Sequence, residues 1–375
     1  MRPAKRREPP SRQRSAKGRA KHSGKHVTIR DVARVANASV STVSAAINNT
    51  DYVSAAMRLR IERAVRRLGY RPNDLARGLR LQRTHTLGVV VPDLSNSFYT
   101  EILQGMKDYA SAAHYTLLIG DSRDRWAEEQ VYLDNFHRRR VDGVIRIPAA
   151  DDQCRNIREL LGEIPVVYAD RFPHTRDAAG GHVGVDNTVA AFDATRYLMS
   201  LGHRRIGIVA GPETAPTAAD RLEGYRRAVR GGHVPVDPAL VRRGDNRMVS
   251  GHREAIELLT LPDRPTAIFC TNNMMTLGAF QAIQELKVVC PDEVSLLGFD
   301  DFYWAPLLRP QITMVRQPAR EIGLAAARLL IEQIEGRNTV GGDQTLSTQL
   351  IVRQSCAPPA TRPEPSIVRS GKVGA

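Results

Sequence analysis

The sequence predicts an α/β protein: a small N-terminal helix-turn-helix headpiece followed by a two-lobed core of parallel sheets flanked by helices. Three observations carry this. Two short helical patterns separated by a tight polar turn occupy 28–47, a third amphipathic pattern follows them, and from Thr86 onward short apolar runs alternate with helical patterns.

The headpiece reads residue by residue. Thr28 is an N-cap with Asp31 three positions on, and Ile29, Val32, Ala33 and Ala36 then fall at helical spacing. Asn37 tolerates the left-handed conformation that ends a helix, and Ser39 caps a second apolar run through Val40, Val43, Ala46 and Ile47. Two such helices joined by a tight turn make a helix-turn-helix. A third helix starts at Ser54 and buries Met57, Ile61, Val65 and Leu68, with Arg58, Arg60, Arg63, Arg66 and Arg67 on its other faces and Gly69 at its end. Beyond Pro72 and Asn73, the segment from Asp74 to Leu79 has the cap and pattern of a helix. It is far shorter than the roughly 12 to 15 residues an isolated helix needs, and Gly78 costs it about 1 kcal/mol relative to alanine. It is expected to fold only when paired.

The core follows as LGVVVPD, a helix over about 98–113, YTLLIGD, a helix over about 128–138 and DGVIRI, then PVVYAD, HVGV, RIGIVAG, TAIFCTN and VSLLGFD, most runs followed by a helix. Such alternation specifies parallel sheets wound with helices, and the region is too long for one open sheet of typical size, which gives two lobes.

Composition bounds the function. The 375-residue chain is 42% hydrophobic with a net charge of +14, a balance that suits a nucleic-acid partner. Residues 1–26 hold ten Lys and Arg against the single acid Glu8, with almost nothing apolar, and read as a disordered basic arm. No apolar stretch is long enough to span a membrane and no apolar signal segment follows the basic start, so a soluble cytoplasmic protein is expected. Cys154, Cys270, Cys290 and Cys356 show neither a disulfide framework nor metal-ligand spacing.

The headpiece also carries a specific resemblance. T-I-R-D-V-A-x-x-A-x-x-S-x-x-T-V-S-x-x-I-N, then V-S, then G-Y-R-P-N-D-L-A-R-G-L is similar throughout to the lac-repressor and purine-repressor family of bacterial transcription regulators. The resemblance implies a sequence-specific DNA-binding regulator, a repressor, that acts as a homodimer on palindromic double-stranded DNA. Val40, Ser41 and Ala45 match base-reading positions of the second helix, although Ala45 stands where relatives often carry a long polar side chain and offers only a methyl. Thr28, Ser39, Thr42, Ser44, Asn48, Tyr52 and Ser54 match positions that mostly hold phosphates. The short segment matches a hinge helix whose leucine, here Leu79, wedges into the minor groove, with Asn73 and Ala76 on the same segment against the DNA.

For the rest of the chain, the resemblance implies a periplasmic-binding-protein-like core over 86–355, with a first lobe at about 86–185 and a second at about 186–315. A return crossing at 316–318 leads to a helix at 319–335 and final strands near 345–352. The helix-turn-helix domain then spans 27–71, the hinge and linker 72–85, and a disordered tail 356–375, whose composition carries no leucine heptads. The implied effector pocket between the lobes takes Phe98, Tyr99, Asp170, Arg171, Thr217, Arg221, Asn246, Asn272 and Asp300. Guanidinium, carboxylates, amides and aromatic faces together suit a small carbohydrate or sugar derivative. Asn273, where relatives commonly carry Asp, is expected as a helix-capping change, and Arg221 with Asp300 as ligand contacts, the alternative being an ion pair across the cleft.

Motifs for chemistry are missing: there is no GxGxxG after a strand, no GxxxxGK[ST], no HExxH and no GxSxG, so neither enzyme, cofactor nor metal is expected. Asp170-Arg171 and Asp300-Asp301 would suit a paired-carboxylate glycosidase, but acids at strand ends in such cores usually hydrogen-bond a ligand. A periplasmic-type solute receptor shares the core fold, and the headpiece argues against it.

Overall fold

The computed structural model describes residues 27–47, 52–70, 83–152, 156–172, 180–337 and 342–360. The chain divides into two compact units, Met1–Arg77 and Gly78–Ala375.

In the first unit, α1 (Ile29–Ala36), α2 (Val40–Ile47) and α3 (Ala55–Leu68) enclose a core of Val32, Ala36, Val43, Val53 and Ile61. Local chemistry sets each boundary. The Asp31 carboxylate accepts from the Thr28 N–H (3.0 Å) and hydroxyl (2.7 Å), and Asn37 closes α1 at φ 46°. Ser39 Oγ accepts from Thr42 N–H (3.0 Å), Ser54 Oγ from Met57 N–H (3.4 Å), and Gly69 ends α3 at φ 61°. Arg60 on α3 donates to the Asn37 carbonyl (3.1 Å), and Arg58 to that of Ala46 (3.2 Å).

The second unit holds two six-stranded sheets. In chain order its elements are β1 (Thr86–Val91), α4 (Ser97–Ala112), β2 (Thr116–Asp121), α5 (Trp126–Arg139), β3 (Gly143–Arg146), α6 (Ile157–Leu161), β4 (Val166–Ala169) and β5 (His182–Val185). There follow α7 (Asn187–Ser200), β6 (Ile206–Ala210), α8 (Pro216–Gly231), β7 (Val241–Arg243), α9 (Met248–Leu259), β8 (Ala267–Cys270), α10 (Asn273–Glu285), β9 (Ser295–Phe299), β10 (Thr313–Arg316), α11 (Ala319–Ile334), β11 (Gln344–Leu346) and β12 (Gln349–Ile351). The first sheet runs β11-β5-β4-β3-β1-β2 and the second β12-β10-β9-β8-β6-β7; among the described residues, only β12 is antiparallel to its neighbour. Both sheets are buried on both faces, as the continuous apolar strands require.

The chain passes between the lobes three times: after β5, after β10, and between β11 and β12, which close opposite edges of the two sheets. The third passage was not readable from two short strands of mixed polarity. The core also continues past the expected start of the tail at 356. Leu296 N–H donates to the Ser355 carbonyl (2.8 Å), Ala357 N–H to Ser295 Oγ (3.1 Å), and the buried His203 ring bonds the Ala357 carbonyl (2.9 Å). Composition misplaced that boundary because the contacts that tie this segment down, among them the buried Ser355 hydroxyl on the Leu296 carbonyl (2.6 Å), join it to residues some 60 positions away.

Helix pairs on the sheets meet through glycines. Gly251 on α9 faces the Met275 backbone of α10, and a methyl added at Gly278 on α10 would overlap the Met248 carbonyl and lie 2.5 Å from His252 N. Backbone cannot give way as a side chain would. Gly278→Ala is therefore expected to destabilise the core by about 1–3 kcal/mol, even though alanine is the better helix former. Urea unfolding checks this; an unchanged or raised midpoint would show that the helices separate without cost.

Candidate functional site

On the headpiece, the hydroxyls at the start of α2 form a cluster in which Ser39 Oγ lies 2.7 Å from both Ser41 Oγ and Thr42 Oγ1. Val40 is 42% exposed and Tyr52 71%, so both stand clear of the core, and Thr28 and Ser54 sit at their helix starts. Ser44 is half-buried, one turn from Val40 and Ser41. Ala45 is 8% exposed and packs with the headpiece core, its side chain ending at Cβ. Asn48, Asn73, Ala76 and Leu79 lie outside the described residues.

In the core, all nine residues expected around a pocket line one cavity of about 20 Å³, together with Asn96, Ala218 and Thr271. They meet because each stands at or just beyond the carboxyl end of a parallel strand, where crossover helices begin and a crevice opens. Asp170 follows β4, Asp300 follows β9 and Asn246 follows β7. All three are in the left-handed region, at φ 60°, 68° and 66°, which short polar Asp and Asn side chains tolerate. Phe98 and Tyr99 open α4, Thr217 and Arg221 lie on α8, and Asn272 caps α10 by accepting from Met275 N–H (2.8 Å).

Arg221 is the centre of the second lobe's wall. Its Nε donates to Asn187 Oδ1 (2.8 Å) and Nη1 to the Thr271 carbonyl (2.6 Å) and more weakly to Asp300 Oδ2 (3.5 Å), while the guanidinium lies 3.8 Å over the Phe299 ring. Arg221 and Asp300 both belong to the second lobe, so the alternative of an ion pair across the cleft does not hold; the pair lies within one wall of the cavity. Across the cleft, Arg171 Nη1 donates to Asp124 Oδ1 (2.5 Å) and to the Pro148 carbonyl (3.0 Å), and Nη2 to the Tyr99 hydroxyl (3.0 Å).

Burial sets the electrostatics. It pushes the Asp170 carboxyl up to about 6 against the pull of Arg221 and Arg171, and raises Asp300 against Arg221 and Gln317. Burial raises the Tyr99 phenol too, despite Arg171. For Asp124, the opposing burial is outweighed by Arg171, which holds its carboxyl below the usual range. The Arg171 guanidinium is buried as well, but Asp124 and Tyr99 hold it charged.

The two lobes touch at this site. Asn273 Nδ2 donates to Asn96 Oδ1 (2.7 Å) across the cleft, Arg247 Nη2 reaches the Arg123 carbonyl (3.5 Å), Asn246 hydrogen-bonds Asp124, and Ala150 packs on Ala215 and Ala218. Asn272 is the N-cap of α10, Asn273 Oδ1 also accepts from Met274 N–H (2.8 Å) in its first turn, and Asn273 Nδ2 supplies an N–H to the opposite lobe, which an aspartate could not do. A second cavity of about 380 Å³ adjoins the first, sharing Asn96, Tyr99, Arg171, Asn246 and Asn272 and adding Asp93, Arg123, Asp124 and Arg247. Asn96, Asp124, Asn187, Thr271 and Gln317 were not singled out from the sequence. Each lies within a few residues of a strand's carboxyl end, a signal shared with Asp170 and Asp300. Among the described residues, no cluster of His, Cys, Asp and Glu is disposed to hold a metal ion, and no helix is long and apolar enough to cross a membrane.

Residues 28–73 match the family model described as bacterial regulatory proteins, lacI family, and residues 195–356 match that of a periplasmic binding protein-like domain. The chain is 35% identical to the HTH-type transcriptional repressor CytR of Escherichia coli (strain K12), over 90% of this chain and 98% of that one. Among solved structures it resembles the transcriptional regulator CelR-cellobiose complex (30% identity, TM-score 0.66, 88% of this chain and 99% of that one). It also resembles the lac repressor dimer bound to operator and the anti-inducer ONPF (26% identity, TM-score 0.80, 89% and 100%). These relatives are regulators and not enzymes, and their likeness runs through headpiece and core alike. The chain therefore belongs to the lacI family and is a transcriptional repressor of that family.

Proposed function

We propose that this repressor binds a palindromic operator as a cytoplasmic homodimer, reading bases with α2, and that a sugar or sugar derivative bound between the lobes sets its operator affinity. The observation that carries the second half is the convergence of nine residues on one buried cavity that combines two carboxylates, two guanidinium groups, two amides and aromatic rings. Adjacent hydroxyls on a sugar match a carboxylate or a guanidinium in pairs, and an aromatic face takes the C–H side of the ring. The solved relative with cellobiose supports the ligand class. A cavity of about 20 Å³ holds roughly one water. A ligand of sugar size therefore also occupies the adjoining cavity of about 380 Å³, which shares Asn96, Tyr99, Arg171, Asn246 and Asn272 with the first.

Selection from random DNA, followed by titration of the selected site, tests the first half. A thermal-shift screen against sugars, sugar acids and nucleosides tests the second, since a ligand at a hundred times its dissociation constant stabilises by about 2.7 kcal/mol. Failure to enrich any palindrome, or no shift with any carbohydrate, would defeat the corresponding half. Leu79→Ala is expected to weaken specific binding roughly 10- to 100-fold, about the cost of losing one or two specific contacts, while non-specific binding changes little. Equal loss on both kinds of DNA would refute the wedge assigned to that position.

A further inference from the structure

Residues 84–360 hold 30 Lys and Arg against 34 Asp and Glu, so this part of the chain carries no attraction for DNA on balance, and the excess of positive charge lies outside it. One run departs from that balance. Arg138, Arg139 and Arg140 are the one stretch of three consecutive basic residues within 84–360, and they end α5 with all three side chains exposed. Their place is fixed by the chain that enters β1. The Thr84 hydroxyl donates to the Arg140 carbonyl (3.1 Å), and Arg83, exposed as well, donates from Nη2 to the Ile334 carbonyl at the end of α11 (3.2 Å). Four guanidinium groups thus stand where the chain arrives from the headpiece, at the amino end of the strands and away from the effector cavity at their carboxyl ends.

Local partners do not use this charge up. Arg138 pairs with Asp134 (2.8 Å), but among the described residues Arg139 and Arg140 form no ion pair. The Asp142 carboxylate, two residues on, is taken by the N–H groups of Thr84 (2.7 Å) and His85 (2.9 Å), one on each oxygen. A cation in the last turn favours a helix dipole, yet α5 has Arg138 there already, and its end is closed by Arg140 N–H on the His137 carbonyl (3.0 Å) and Val141 N–H on that of Phe136 (3.2 Å). Exposed guanidinium groups in excess of local need fit phosphate, whose oxygens match their fork of donors. Twelve residues, 71–82, join Tyr70 of the headpiece to Arg83, and whatever their path they span at most about 45 Å, the length of about 13 base pairs. Any duplex held by the headpiece is therefore tethered within reach of these arginines. We propose that the edge bearing Arg83, Arg139 and Arg140 is a second DNA contact, made by the core to phosphates of the duplex that the headpiece holds. It rests on the headpiece binding an operator and on no ligand in the cleft. Phosphate contacts carry no sequence information, so this edge strengthens binding to all DNA alike.

Titration of the full-length repressor on its selected operator and on random-sequence duplex, over a range of salt concentrations, tests this. Arg139→Gln/Arg140→Gln keeps the backbone bonds of both residues and removes up to two phosphate contacts from each protomer. In the dimer, the slope of log affinity against log salt is expected to become shallower by about 2–4, and affinity at about 0.1 M salt to fall at least about tenfold, by similar factors on both duplexes. Arg139→Lys/Arg140→Lys keeps the charge and is expected to keep most of the slope. An unchanged slope in the glutamine variant would overturn the proposal. So would a slope lost equally in the lysine variant, since that marks a structural role for the two side chains and not a charge on phosphate. A parent that binds neither duplex would defeat the operator reading itself, and this contact with it.

Discussion

Arg221→Ala is expected to lower the stability of the core by about 3–5 kcal/mol and to abolish the response to any cleft ligand. The substitution strips a donor from Asn187 Oδ1 and from the Thr271 carbonyl, and leaves Asp300 buried beside Gln317 without its cation. The deficit has a defined pH dependence. Without Arg221 the Asp300 carboxyl, already raised by burial, rises further above its unfolded value. A carboxyl raised in this way favours the fold when protonated, and that contribution is lost as pH climbs through its folded pKa. The variant is thus closest to the parent at acid pH and furthest from it at neutral pH and above. Urea unfolding at a series of pH values measures this, and the double variant Arg221→Ala/Asp300→Asn is expected to recover part of the loss at pH about 8. Strict additivity of the two substitutions would show that the 3.5 Å pair carries no coupling.

The second large effect is far less visible from the cleft. Arg146, at the end of β3, is buried, with its guanidinium bonded by Glu129 and by Asp152 (2.6 Å) and set over the rings of Trp126 (5.3 Å) and Tyr168 (5.9 Å). Glu129 is likewise buried, and its second oxygen accepts from Ala149 N–H (2.8 Å). The pair fixes the 147–152 loop, which presents the Pro148 carbonyl to Arg171 and Ala150 to the second lobe. Arg146→Met fills the space and leaves Glu129 an uncompensated charge, so a loss of about 3–5 kcal/mol is expected. Arg146→Met/Glu129→Gln removes the charge, keeps an acceptor for Ala149, and is expected to regain most of it. Denaturation followed by tryptophan fluorescence compares the two, and a double variant no more stable than the single one would rule out the buried charge as the cause.

The sequence by itself determined what is written in short range: the headpiece helices, their starts at Thr28, Ser39 and Ser54 and their ends at Asn37 and Gly69, the parallel strands, and the strand-end residues of the pocket. A cap joins residues two to four apart, and a buried strand needs only a continuous apolar run, so both leave a local mark. The tertiary structure alone decided the rest. Arg221 meets partners 34, 50 and 79 residues away, and Asn273 meets Asn96 at 177. Arg146 and Gln317 look like surface residues in the sequence and are buried in the fold. Ala45 is largely covered by the headpiece core, which its place in the sequence pattern does not reveal. Such contacts have no periodicity to betray them, because the energy of a polar side chain is fixed by whether its surroundings desolvate and pair it, and those surroundings are assembled only when distant strands come into register.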